Sequence, residues 1–316
     1  MTSQPDPTDT LAELRRQLAG LSTEAANPEL SGIDSMSTAE LVRAMNGQDV
    51  LVAPAVGRCL DAVAAAVDGV YAKLAAGGRL IYTGAGTAGR VGVLDASECP
   101  PTYGTDPDLV VGVIAGGARA IREAVENAED DAVAGAADLA ALNIGPGDAV
   151  VGISASGRTP YVVGALESAR AAGAFTVALA CNTGSAIGAA AEVAIEVEVG
   201  PEFVAGSTRL KSGTAQKLVI NMISTLSMVK LGKTYGNMMV DLQATNAKLR
   251  ARSQRTVQQA TGVGAPEAAQ ALDAADGSVK LAILMILTGL DAAAGRAALD
   301  ASGGYLRQAV QQVSGS

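Results

Sequence analysis

Three hydroxyl side chains, Ser154, Ser156 and Thr159, fall within Gly152-Ile-Ser-Ala-Ser-Gly-Arg-Thr-Pro160, between an apolar run and a helical one. They gather, with Gly157, at a helix N-terminus. Free backbone N–H groups and the positive end of the helix dipole favour an anion there, and phosphate suits such a nest. Capping a helix that opens at Pro160 needs one hydroxyl, so the surplus points to a ligand. An earlier stretch repeats the design. Residues 80–82 are a short apolar strand, Gly84, Gly86 and Gly89 break it, and a helical run resumes at Arg90, with Gly86 and Thr87 as the candidate phosphate contacts. Gly84-Ala-Gly-Thr-Ala-Gly89 also fits the G-x-G-x-x-G dinucleotide fingerprint. A nicotinamide site wants an acidic residue at the end of the second strand, however, and that strand runs out into Ile114-Ala-Gly-Gly117. A phosphate monoester is the better match. Glu98 follows the first loop's helix, just before Pro100-Pro101, which should stop that helix and fix the carboxylate's position. A third polar loop, Gly206-Ser-Thr-Arg-Leu-Lys-Ser-Gly-Thr214, offers Ser207, Arg209 and Lys211.

The chain of 316 residues contains no histidine. That excludes Ser-His-Asp and Cys-His nucleophile pairs, histidine-ligated zinc and any histidine base. Proton transfer near neutral pH falls to carboxylates, Lys, Tyr or Cys. No cofactor is expected. A net charge of -9 argues against nonspecific nucleic-acid binding, so an anionic ligand needs a local site working against the overall field. The three cysteines, Cys59, Cys99 and Cys181, are scattered and odd in number, which suits a reducing compartment rather than a disulfide framework. Asp6, Asp9 and Glu13 near the start leave no apolar signal segment. The longest apolar run, residues 279–290, is interrupted by Lys280 and Thr288 and is too short for a bilayer, which takes about 20 residues. A cytoplasmic protein with no membrane partner is expected.

The elements that must position these loops show in the periodicity. Five apolar or β-branched runs, at 80–82, 109–114, 149–153, 175–179 and 193–199, alternate with helical patterns at 90–97, 118–142, 161–172 and 185–191. Such alternation predicts an α/β fold, a five-stranded parallel sheet sandwiched by helices. The last run alternates polar and apolar residues, as an edge strand does. Ser37-Thr-Ala-Glu40 has capping-box spacing and should start a helix, a longer Ala/Val helix should cover 55–76, and another should follow the third loop at 215–231. Residues 1–35 read as a loose N-terminal arm with one short helix at 11–20, residues 36–240 as the catalytic domain, and residues 241–316 as a small all-helical lobe with helices at 265–275, 279–287 and 291–299.

The loop at 152–160 resembles the phosphate-binding signature of SIS (sugar isomerase) domains. Over residues 27–310 the resemblance narrows to the N-acetylmuramic acid 6-phosphate etherase family. Leu94-Asp-Ala-Ser-Glu-Cys-Pro-Pro-Thr-Tyr-Gly104, Gly152-Ile-Ser-Ala-Ser-Gly-Arg-Thr-Pro-Tyr161, Gly206-Ser-Thr-Arg-Leu-Lys-Ser-Gly-Thr-Ala-Gln-Lys217 and Gly236-Asn-Met-Met-Val-Asp241 carry it. The resemblance implies a metal-free homodimer with an SIS core. It also implies a lyase that removes D-lactate from C3 of N-acetylmuramate 6-phosphate and adds water, giving N-acetylglucosamine 6-phosphate in peptidoglycan recycling. It assigns the acid to Glu98 and a second carboxylate, taken as the base, to Glu129. Ala88 stands where the family pattern has Ser, which removes one phosphate hydroxyl.

On residue patterns alone Glu129 belongs to an acidic run with Glu123, Glu126 and Asp130, and such helix faces are usually just solvated. Among the basic residues near the loops, Lys211 and Arg209 are the first candidates for the phosphate or the lactyl carboxylate. Three other readings compete: an aldose–ketose phosphosugar isomerase on the same fold, a noncatalytic sugar-phosphate sensor, and a nicotinamide dehydrogenase.

Overall fold

A computed structural model describes Arg15, residues 18–242 and residues 246–315. The short helix expected at 11–20 lies largely outside the described residues. Glu40 Oε2 accepts hydrogen bonds from Ser37 N at 2.8 Å and Ser37 Oγ at 2.6 Å, and helix α1 (Thr38–Asp49) starts where the capping-box spacing puts it. The long helix expected next is two, α2 (Val52–Gly57) and α3 (Leu60–Ala75). Gly57 weakens the helix there, and the break is held by Arg58 Nη2 donating to Glu198 O at 2.9 Å and Cys59 Sγ to Glu196 O at 3.2 Å.

The sheet follows as β1 (Leu80–Gly84), α4 (Gly86–Tyr103), β2 (Val110–Ile114), α5 (Gly117–Ala120), α6 (Ala132–Ala141), β3 (Ala149–Ser154), α7 (Pro160–Ala171), β4 (Phe175–Ala180), α8 (Ala186–Ala190) and β5 (Val193–Glu196). Five strands run parallel in the order β2-β1-β3-β4-β5, with the alternating β5 at an edge as expected. Every residue of β1 and β3 is buried, as strands covered on both faces must be. Gly84 pairs with Ile153 and Ser154 with Ala180, so the glycine loop and the hydroxyl loop leave the sheet side by side. The strand order reverses between β1 and β3, the point where open α/β sheets bind ligands. One core cluster packs Ile81 and Val150 with Tyr161, Val162 and Leu166 of α7 and Leu139 of α6.

Two helix boundaries differ from expectation. α4 does not stop at Pro100-Pro101 but runs through both to Tyr103. Each proline removes one N–H, yet the Pro100 carbonyl still accepts from Gly104 N at 2.9 Å, and the helix ends at Gly104, whose φ is +62°. The single helix expected at 118–142 is instead α5, then turns with Asn127 at φ 61°, a 3-10 turn (Ala128–Asp130), and α6, opened by Asp131 Oδ1 accepting from Ala134 N at 2.9 Å. Glu129 therefore sits in a turn, not on a helix face.

Helix α9 (Lys211–Lys230) starts four residues earlier than expected, because Glu202 caps it. The buried carboxylate accepts from Lys211 N at 2.9 Å, Ser212 N at 2.9 Å and Ser212 Oγ at 2.8 Å.

The chain forms two compact units, one of Met1–Ala96 and Val111–Ile223, the other of Ser97–Val110 and Ser224–Ser316. Where the residue pattern suggests a boundary at 240/241, this division falls within α4 and α9, each of which begins in the first unit and ends in the second. The second unit holds a hairpin, β6 (Thr234–Tyr235) with β7 (Met238–Met239), and helices α10 (Ala247–Thr261), α11 (Ala265–Ala274), α12 (Val279–Thr288), α13 (Ala292–Ala301) and α14 (Leu306–Ser314). The apolar α12 is its centre, with Leu281, Ile283 and Leu284 packed against Val257, Leu272 and Leu306. Among the described residues no single helix is long and apolar enough to cross a membrane.

Candidate active site

In the first unit, the loops after β1 and β3 enclose a cavity of about 260 Å³. Gly86, Thr87, Ser154, Ser156, Thr159 and Glu129, all singled out from the sequence, line it together. Glycine makes the first loop possible: a Cβ on Gly89 would lie 2.6 Å from Ile114 Cγ1 and 2.7 Å from Gly84 O, so only a bare backbone lets α4 start this close to the sheet. Gly157 does not line the cavity. It shapes the hydroxyl loop at φ +72°, where a Cβ would lie 2.4 Å from Ser185 Cβ, and its N–H donates to Ser154 Oγ at 3.0 Å. Ser154 Oγ lies 2.8 Å from Thr159 Oγ1 and 3.3 Å from Ser156 Oγ, so the three hydroxyls form one cluster at the start of α7. Ser156 Oγ accepts from Arg158 N at 3.2 Å.

The cavity also takes in Glu24, Ala85, Ala88, Ala155, Thr208 and Gln216. Glu24 belongs to the stretch that reads as a loose arm, and no residue pattern marks it. Asn182 ties that stretch down: its Oδ1 accepts from Ser22 N at 2.9 Å, and its Nδ2 donates to Thr23 Oγ1 at 3.0 Å and Ala155 O at 3.1 Å. Thr208, not Ser207, is the lining hydroxyl of the third loop. Lys211 stands away from the cavity on the first turn of α9. It is buried, and its Nζ donates to Gln48 Oε1 at 3.0 Å. Burial lowers its pKa from the ordinary lysine value, against the opposing pull of Glu202 and Asp49. Arg158 and Arg209 are exposed.

Among the described residues, no Lys or Arg lines this cavity. Hydroxyls, backbone N–H groups and the N-termini of α4 and α7 face the loops around it, and helix N-termini carry positive potential of their own. Glu129 stands between this cavity and a second one of about 230 Å³, which shares Ala85, Gly86 and Glu129 and adds Arg90, Ala115, Ala120, Ala124 and Val125. Arg90 fixes that wall, with Nε donating to Ile121 O at 3.1 Å and Nη2 to Glu123 O at 2.9 Å. A carboxylate on such a wall reaches a molecule that occupies both cavities. Glu98 is exposed on the part of α4 that belongs to the second unit.

Residues 62–170 match the glucokinase regulatory protein N-terminal SIS domain, and residues 118–226 match the SIS domain. Among curated proteins, the chain is 56% identical over 315 residues to N-acetylmuramic acid 6-phosphate etherase of Streptomyces coelicolor, covering 100% of both chains. It is 57% identical over 294 residues to the protein of that name from Salmonella typhimurium, covering 93% of this chain and 99% of the relative. Among solved structures, a phosphoheptose isomerase from Francisella tularensis superposes with a TM-score of 0.47 at 18% identity, covering 60% of this chain and 100% of that one.

Proposed function

Because the chain belongs to the N-acetylmuramic acid 6-phosphate etherase family, we propose that the first unit's cavity holds the substrate's 6-phosphate while Glu129 moves a proton on the carbon skeleton beside it. The chain is a carbon–oxygen lyase that removes D-lactate from C3 of N-acetylmuramic acid 6-phosphate and adds water, leaving N-acetylglucosamine 6-phosphate. An ether at C3 of a closed sugar is a poor leaving group. Opening the ring exposes an aldehyde at C1 and acidifies the C2 proton. A base takes that proton, an acid protonates the departing ether oxygen as the C3–O bond breaks, water adds at C3 of the conjugated aldehyde, and C2 is reprotonated. With no histidine in the chain, two carboxylates in opposite protonation states can share this work.

Glu129 is the base and Glu98 the acid. The observation that carries the reading is that six of the candidate residues, Glu129 among them, meet in one cavity lined by neutral donors. Phosphate contacts come from Gly86, Thr87, Ser154, Ser156 and Thr159, with Thr208 in place of Ser207 and with Gly157 shaping the loop. The adjoining cavity, lined by alanines and Val125 together with Arg90, Glu123, Glu126 and Asn127, receives the rest of the sugar.

The protein works in the cytoplasm as a homodimer. α1 buries none of its residues, and Val42, Val50, Leu51 and Leu60 are exposed apolar side chains in one stretch that a second copy would cover. Light scattering should give twice the chain mass. Incubation with N-acetylmuramic acid 6-phosphate should release D-lactate. Glu98→Gln should stop that release yet still exchange the C2 proton with deuterium from solvent. Loss of exchange in a folded Glu98→Gln protein would reverse the two assignments.

A further inference from the structure

We propose that Gln216 is a phosphate-binding residue, donating its side-chain amide to a phosphoryl oxygen in the first unit's cavity. This rests on reading that cavity as the sugar-phosphate site. Gln216 lies in the second turn of α9 and lines the cavity, yet it is only 1% exposed, and its buried Nε2 has no hydrogen-bond partner. A buried primary amide without a partner is a cost to the fold, because water would satisfy both of its N–H groups. Its helix neighbours Ala215, Val219 and Ile220 are fully buried and apolar, so packing alone would be served by Leu or Met at this position. The amide is kept in place from below. Glu202 fixes the first turn of α9, Gly213 N donates to Thr208 O at 2.9 Å, and a Cβ on Gly213 would lie 3.3 Å from Thr87 Cγ2, so the helix is seated against the first phosphate loop.

What the cavity lacks is what Nε2 supplies. Among the described residues it has no Lys or Arg, it has two carboxylates in Glu24 and Glu129, and Ser154 and Thr159 already hydrogen-bond each other. An anion entering it needs a further donor that does not accept in return. The amide nitrogen is such a donor, whereas a hydroxyl can serve either way. Substrate and product carry the same phosphate, so a contact to it strengthens binding of both alike and shows in KM rather than in kcat.

The test is Gln216→Leu, followed by melting temperature without ligand, stabilisation by inorganic phosphate, and steady-state lactate release. The unliganded protein should melt no lower than the parent, since an unpartnered buried donor has been removed. The dissociation constant for inorganic phosphate and the KM for N-acetylmuramic acid 6-phosphate should rise together by about ten- to a hundredfold, the worth of a hydrogen bond to a charged group. Gln216→Glu, which places a third carboxylate there, should raise both further. A lower melting temperature in Gln216→Leu would mean the amide is satisfied within the fold and would overturn the proposal, as would unchanged phosphate binding in either variant. The phosphate measurement needs no turnover. Failure of the parent protein to release lactate would therefore count against the etherase chemistry, while Gln216 would still be judged on phosphate alone.

Discussion

The two units each contain a cavity, and the two treat polar groups in opposite ways. The second unit's is larger, about 500 Å³, and carries Lys233, Asp241 and Asp276 on its walls. Those charges are spent: Asp241 takes Lys280 Nζ at 2.7 Å and Lys233 Nζ at 3.3 Å, and Asp276 takes Arg296 Nη2 at 2.5 Å. The first unit's cavity is about half the size and has no cation among the described residues, but it retains unused donor capacity in its hydroxyls, its helix N-termini and the Gln216 amide. Size and charge density favour the second unit's cavity. Unspent hydrogen-bonding capacity favours the first unit's, the one proposed above to hold the phosphate, because paired groups have less left to offer a ligand than unsatisfied ones.

Four changes probe that contrast. Glu129→Gln should lower kcat for lactate release by about a thousandfold, within the range of a lost general base, with melting temperature unchanged. A folded Glu129→Gln protein of near-normal rate would remove the first cavity from the reaction. Asp241→Asn should act on stability alone. It strips the counter-charge from the mostly buried Lys280, whose pKa burial already lowers from its ordinary value, and should cost about 3 kcal/mol in urea unfolding with kcat/KM held within about twofold. A large fall in kcat/KM at full folding would make the second cavity part of the site.

The third change lies in the first unit, at the other end of β3, where Asp148 takes Arg79 Nε at 2.9 Å and Nη2 at 2.9 Å. Burial opposes the Asp148 charge, but Arg79 and the Gly145 N–H outweigh it and hold the carboxyl below its ordinary value. Its folded pKa lies below the unfolded one, so the stability it adds is complete above about pH 4 and is lost as pH falls through the folded value. Arg79→Met should therefore shift the acid-unfolding midpoint upward; an unchanged midpoint would show that this pair adds nothing. The smallest effect belongs to Ala88→Ser. It should tighten inorganic phosphate by about threefold by adding one hydroxyl to the cavity wall, less than the tenfold that corresponds to about 1.4 kcal/mol.

Much of this was legible in the residues. Strand–helix alternation predicts the five-stranded sheet, and the glycine and hydroxyl loops supply five of the lining residues. Local patterns failed where a distant group intervenes. Lys211 reads as a loop cation because nothing nearby in sequence announces that Glu202 will extend α9 back to it. Glu129 reads as a solvated helix face because the left-handed backbone at Asn127 that breaks the helix is not coded by any glycine or proline there. Glu24 and Gln216 were missed for one reason: ordinary polar residues acquire meaning only when tertiary contacts deny them water. Asn182, far along the chain, supplies those contacts for the segment that carries Glu24.

That no described lysine or arginine lines the cavity has a kinetic side. A chain of net charge -9 repels at long range a substrate that carries both a phosphate and a lactyl carboxylate, and dipoles at helix ends fade too quickly to offset that repulsion before contact. Capture should thus quicken as ionic strength rises and the repulsion is screened over a Debye length of about 8 Å at physiological salt. An enzyme that draws its substrate in with an arginine clamp would slow under the same treatment.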